Sequence, residues 1–236
     1  MKKLVCLIIG IQAHGLLTPL EELKIKESAA RAYRNRSMRP QTIGMELIGN
    51  LGLGDDITAR IERDGTDYYV SFPGMRLRKK EGIATSFDFV PVRHPSLEHG
   101  ARAHRGWSNM IRRNYADLDN AVASADRVFI QGHSAGGALA LLYGTSRLSR
   151  GRLVTSIYTF GSPAIGNTEF RDQVALMIQD SVEYKRVIYG NDIVPKMLPW
   201  YTHIDLPHTI KSSRSITLFG YVRSFLCDHS DNNYFS

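Results

Sequence analysis

Cysteine is scarce in this chain. Only Cys6 and Cys227 carry a thiol among its 236 residues, so no disulfide framework is available and stability must come from a packed core. The chain also lacks internal repeats, low-complexity tracts and Pro- or Ser-rich linkers. That excludes a solenoid and argues against two units joined by a flexible tether. The familiar DNA- and RNA-binding signatures are missing too. The formal charge of +7 is therefore read as a solvated basic surface, and no nucleic-acid partner is expected.

What is present suits a globular α/β chain. Hydrophobic residues make up 43% and charged residues 22%, ordinary values that do not indicate disorder. The expectation is one domain over residues 18–236, preceded by a segment, 1–17, of a different kind. Lys2 and Lys3 followed by the apolar run Leu4 to Ile11 have the basic start and short core of a secretory signal. Cleavage after Ala13 would fit, although Ile11 is larger than the small residue preferred at that position. The run is far shorter than the roughly 20 residues a membrane-spanning helix needs. Export is the expectation, with a buried N-terminal strand in a cytoplasmic protein as the alternative.

Hydrophobic spacing divides the chain into alternating elements. Glu21 to Tyr33 reads as a helix that starts at Thr18 and Pro19. Ile57 to Glu62 and Thr66 to Phe72 read as strands of a hairpin around Arg63-Asp64-Gly65. Trp107 to Ala123 has helical spacing. A strand at 127–131, a helix at 135–147, a strand at 153–160, a helix at 168–179 and a strand at 184–190 follow. Such alternation predicts a mostly parallel central sheet flanked by helices, with reactive groups beyond the carboxyl ends of its strands.

One join in this series carries chemistry. "VFIQGHSAGGALALLYG", residues 128–144, turns from strand to helix at Gly132-His133-Ser134-Ala135-Gly136. G-x-S-x-G in that context is a nucleophile elbow, where small residues allow a sharp turn and hold the serine hydroxyl clear of the sheet. With 19 Ser and 20 Gly, about 0.14 chance matches are expected, so the flanking strand and helix carry the weight. A serine needs an imidazole to accept its proton and a carboxylate to orient that imidazole. Among the downstream carboxylates only Asp192, in "YKRVIYGND", sits just past an apolar strand. Glu169 and Asp172 fall on a predicted helix, as solvated groups. Three histidines follow, His203, His208 and His229, and spacing alone leaves the choice among them open.

"GHSAGGALA", "TFGSPAIGN", "VIYGNDIVPKMLPWYTHI" and "DHSDNNYF" occur in the order found in class 3 (fungal-type) lipases. Upstream, "ESAARAY", "YYVSFPGM" and "AHRGW" resemble that family's first helix, oxyanion strand and post-lid segment. The resemblance covers roughly residues 28–235. It implies an α/β-hydrolase fold with Ser134 as nucleophile, Asp192 as orienting acid and His229 as base. It assigns the oxyanion donors to the main-chain N–H groups of Ala135 and Met75. His203 and His104 match family positions outside the triad and are expected to be structural. Asp228, adjacent to His229, is poorly placed to orient it. At the oxyanion strand the chain departs from the family, which has Arg-Gly and then Ser or Thr where Pro73-Gly74-Met75 stands here. A hydroxyl contribution is therefore missing.

The resemblance implies hydrolysis of lipid esters through an acyl-enzyme, triacylglycerol lipase or phospholipase A1-like, with no metal or organic cofactor required. The alternatives are an esterase for small soluble esters, or an inactive hydrolase fold that binds an anionic membrane or partner. Residues 75–85, "MRLRKKEGIAT", fall where the family carries its lid. They hold little apolar area but contain Arg76, Arg78, Lys79 and Lys80. Each basic group near an anionic lipid surface contributes about 1 kcal/mol, so transient contact with such a surface is expected. Activity should then be higher on anionic than on neutral vesicles, and salt should weaken the difference. Replacing these four residues with Gln should erase it and spare turnover of a short soluble ester. Equal rates on both vesicles at low salt would leave the segment as ordinary solvated surface.

Overall fold

A computed structural model describes residues 17–32, 44–54, 57–75, 88–98, 100–179, 181–205 and 208–210, together with His229 and Tyr234. The expected N-terminal signal or strand, the basic residues Arg76 to Lys80 and Asp228 lie outside these residues.

Among the described residues, seven strands form one sheet: β1 (Glu46–Gly54), β2 (Ile57–Asp64), β3 (Asp67–Phe72), β6 (Arg127–His133), β7 (Ser156–Phe160), β8 (Glu183–Tyr189) and β9 (His208–Ile210), in that spatial order. A separate pair, β4 (Pro91–Arg93) and β5 (Arg102–His104), lies outside it. β1, β2 and β3 pair antiparallel, and from β3 to β9 every pairing is parallel. The helices are α1 (Pro19–Arg31), α2 (Arg105–Ala121), α3 (Ala135–Leu148) and α4 (Thr168–Ile178). This is the α/β-hydrolase arrangement, a mostly parallel central sheet flanked by helices.

Period-two alternation in the inner strands feeds two cores. Tyr69, Phe129, Tyr158 and Phe160 pack with Ile25 and Ala29 of α1 on one face. Tyr68, Val70, Val128, Ile130 and Ile157 pack with α2, α3 and α4 on the other. Burial of each such side chain contributes about 1.5–3 kcal/mol.

Where boundaries shift, local causes are visible. Thr18 caps α1 through a capping box with Glu21, so the helix starts at Pro19, as the Thr18-Pro19 signal predicts, but it ends at Arg31, two residues before Tyr33. α2 begins two residues earlier than its spacing suggests, because His104 Nδ1 accepts from Trp107 N at 3.4 Å and its ring stacks on Trp107 at 3.8 Å. Histidine is not among the usual capping residues, so the sequence gives no signal for this start. β7 is shorter than expected, since Leu153 remains outside it and exposed. β1, β4, β5 and β9 have no counterpart among the expected strands; the last three are only three residues long, and β1 has a different cause. It is a largely exposed edge strand containing Gly49, Gly52 and Gly54, which depress its strand signal.

The start of α3 lies directly against the end of β3. A Cβ built on Gly136 would sit 2.1 Å from the Phe72 carbonyl oxygen and 2.5 Å from that of Pro73. Both obstacles are backbone and cannot swing aside. Gly136→Ala should therefore destabilise the fold by about 3 kcal/mol, the upper end for overpacking, as measured by denaturant unfolding. A loss below about 0.5 kcal/mol, the ordinary surface range, would mean the two segments do not touch.

Candidate active site

Ser134 occupies the corner between β6 and α3. Its backbone has φ 57° and ψ −129°, and it is the one non-glycine residue with positive φ among the described residues. Its own N–H donates to the Phe160 carbonyl at 2.8 Å, and its carbonyl accepts from Gly137 N at 2.9 Å. The side chain makes no cap to its helix, so the hydroxyl projects away from the turn.

His229 meets that hydroxyl. Its Nε2 lies 2.7 Å from Ser134 Oγ, and its Nδ1 lies 2.8 Å from Asp192 Oδ2. A carboxylate accepts only, so Nδ1 carries the hydrogen and Nε2 is left to accept from the serine. Asp192 follows β8 at the same sheet edge and is completely buried. Its Oδ1 accepts from Val194 N at 2.9 Å, and its Oδ2 also accepts from Tyr234 Oη at 2.5 Å. The Tyr234 hydroxyl in turn accepts from Tyr189 N at 3.0 Å. Space for this pair comes from Gly161 after β7, where a Cβ would lie 2.6 Å from Asp192 Oδ2 and 2.9 Å from Tyr234 Oη. The His133 ring lies 4.9 Å from that of His229 and 5.2 Å from that of Tyr234.

Thus Ser134, His229 and Asp192, picked out at 37 to 95 residues' separation, form one hydrogen-bonded line. Ala135 is the first, buried residue of α3, and Met75 lies three residues past the end of β3. These two segments are the ones in contact through Gly136. A helix N-terminus supplies unpaired N–H groups and a favourable field for negative charge. Such an arrangement can deprotonate a hydroxyl and hold an oxyanion.

The other sequence candidates lie elsewhere. His203 Nε2 contacts the Pro195 carbonyl oxygen at 2.7 Å, and burial holds its pKa below the usual histidine value. His208 sits at the exposed start of β9. His104 is buried at the cap of α2. Asp172 on α4 pairs with Arg171 at 2.6 Å on the surface. Tyr234 is the residue that sequence reasoning missed. The signal available was its place in "DHSDNNYF", the stretch that contains His229, but tyrosine has no fixed spacing rule to an orienting carboxylate.

A family model for class 3 lipases matches residues 69–202. Among curated proteins, the lipase of Rhizomucor miehei is 29% identical over 125 residues, 47% of this chain and 32% of that protein. The secreted mono- and diacylglycerol lipase MDL5 of Malassezia globosa is 32% identical over 143 residues, 55% of this chain and 45% of that protein. The chain thus spans about a third to a half of the length of these relatives. A solved triacylglycerol lipase, described as having a serine protease triad as its catalytic centre, superposes with a TM-score of 0.62 at 26% identity. That match covers 78% of this chain and 76% of the other. The family match extends over more than half of the sequence and includes the elbow, the segment leaving β3 and Asp192. The chain belongs to the class 3 lipase family.

Proposed function

We propose that the protein hydrolyses carboxylic esters of lipids through an acyl-enzyme intermediate. The observation that carries this reading is the line from Ser134 Oγ through the His229 ring to Asp192. Ser134 Oγ attacks the ester carbonyl carbon while His229 Nε2 takes its proton. The tetrahedral oxyanion receives the main-chain N–H groups of Ala135 and Met75. Collapse expels the alcohol, which takes the proton back from His229. Water, deprotonated by the same nitrogen, then releases the acid and restores Ser134. Asp192 keeps the imidazole in the productive tautomer and stabilises the imidazolium. It is itself held by Val194 N and Tyr234 Oη.

A lipid rather than a small soluble ester is supported by the chain next to Asp192. Ile193, Met197 and Trp200 are large apolar side chains left 39–56% exposed, and Val90 beside Phe89 is 46% exposed. The Phe89 and Trp200 rings meet edge to face at 6.2 Å, which brings the segment after Asp192 against the segment before β4. Exposed apolar area collected beside a site marks a surface for apolar ligands or membranes. Lys196, exposed between Ile193 and Met197 in sequence, is in keeping with transient contact with an anionic lipid surface. Export is part of the proposal, on the basic and apolar start of the chain and on secreted relatives such as MDL5.

A fluorophosphonate probe should label one site, and Ser134→Ala should abolish the labelling. His229→Ala should lower kcat for a p-nitrophenyl ester by about 10⁶-fold, because members of such a line act as a unit. His203→Ala and His208→Ala should keep measurable turnover. Rates across the ester series should rise from short soluble chains to longer, emulsified ones. Labelling that survives Ser134→Ala would move the nucleophile elsewhere, and no turnover of any ester would favour the inactive, membrane-binding alternative.

A further inference from the structure

A line of polar side chains runs through the core on the α1 side of the sheet. Gln131 Nε2 lies 2.7 Å from Ser71 Oγ, Ser71 Oγ lies 2.7 Å from Ser28 Oγ, and Ser28 Oγ lies 2.6 Å from Glu62 Oε2. All four residues are fully shielded from solvent. Glu62 Oε1 accepts from Arg31 Nε at 2.8 Å and from Arg60 Nη2 at 2.9 Å.

Counting hydrogens gives the line a direction. The single hydroxyl hydrogen of Ser28 goes to Glu62, so the contact between the serines needs the hydrogen of Ser71. The contact of Ser71 with Gln131 must then be filled from the amide nitrogen. With that amide reversed, three contacts would share two hydrogens. Every donor therefore points towards Glu62, and each bond polarises the next.

The placement of the line is what links it to the site. Ser71 and Gln131 face each other across the parallel pair β3–β6, one rung before the last, Phe72 with Gly132. Beyond that rung β3 enters Pro73, which has no N–H to continue the ladder, and runs to Met75. β6 bends into Ser134 and Ala135. These are the two arms to which the proposed function assigns the oxyanion donors. The end of a ladder frays most easily, and here the side chains tie it to α1 and β2.

We infer that Gln131, Ser71, Ser28 and Glu62 are positioning residues that set the separation and tilt of the two oxyanion arms. The inference rests on the proposed function for the identity of those arms. Packing alone would not require these groups. Gln131 Oε1 is buried and has no hydrogen-bond partner among the described residues, a penalty that an apolar side chain of the same size would avoid. Hydrogen bonds restrict distance and angle, whereas apolar contacts can slide. A donor that drifts loses part of its hold on the oxyanion, and loss of a whole donor lowers kcat by about 10²–10³-fold.

The test uses Ser71→Ala, Gln131→Met and the double variant of the full chain. Ser71→Ala strands the Gln131 amide hydrogens and should lower Tm, and the double variant should regain much of that loss. kcat should nevertheless fall about 10-fold in all three, a fraction of the loss for a whole donor. KM should stay within about twofold, and the double variant should be no worse than the worse single. Amide hydrogen exchange should quicken in peptides covering 71–75 and 131–136 and stay unchanged in α4. Wild-type kcat and exchange in the folded variants would overturn the inference, as would a double variant whose kcat recovers along with its Tm. If wild-type protein turns over no ester, the proposed function fails, and exchange then decides: quickening confined to the two arms upholds the tether and unchanged exchange refutes it. If Ser71→Ala does not fold, Gln131→Met carries the same readouts.

Discussion

The backbone of Ser134 is the constraint on which the rest of the site depends. A non-glycine residue at φ 57° and ψ −129° sits in a region that costs about 1–3 kcal/mol and persists only where its surroundings over-determine it. Here they do. The Ser134 N–H is taken by the Phe160 carbonyl of β7. The helix behind it is buried from Ala135 to Arg147, and its first turn lies against the backbone of Phe72 and Pro73. Relaxing the corner would swing the hydroxyl back towards the sheet and turn the Ala135 N–H away from the segment leaving β3. The strain and the chemistry are one arrangement.

Strand polarity supplies the other parts. β6, β7 and β8 run parallel, so the residues that follow them gather at one sheet edge. Ser134 follows β6, Gly161 follows β7 and Asp192 follows β8. The gap left by Gly161 is occupied by Asp192 Oδ2 and the Tyr234 hydroxyl. One strand thus contributes by what it lacks, and its neighbours by what they carry. The N-terminus of α3 opens at the same edge, where its unpaired N–H groups favour developing negative charge.

The legibility of these parts in the sequence follows from how local each is. Ser134 and Asp192 can be found because an apolar strand followed by a tight turn leaves a trace within ten residues, and the alternation from 127 onwards reveals the strand polarity. His229 leaves no such trace. It lies 95 residues beyond Ser134, and nothing in its immediate spacing distinguishes it from His203 or His208, so only the resemblance singles it out. Tyr234 and Gly161 act through space on a carboxylate distant in sequence, and neither follows a spacing rule. The same holds for Glu62, Ser28, Ser71 and Gln131, whose contacts span 34 to 60 residues. In the fold, the longer buried strands of the central sheet are readable, whereas the exposed edge β1 and the three-residue strands β4, β5 and β9 are not, because an exposed or very short strand leaves too little alternation to read.

The most direct measurement is acid quenching of a p-nitrophenyl ester reaction within the first turnovers, followed by peptide mass mapping of the full chain. An acyl group should appear on the peptide containing Ser134 and nowhere else, and it should vanish as substrate is exhausted. An acyl group on another residue, or steady ester turnover with no acylated peptide, would contradict the account of Ser134 as the nucleophile.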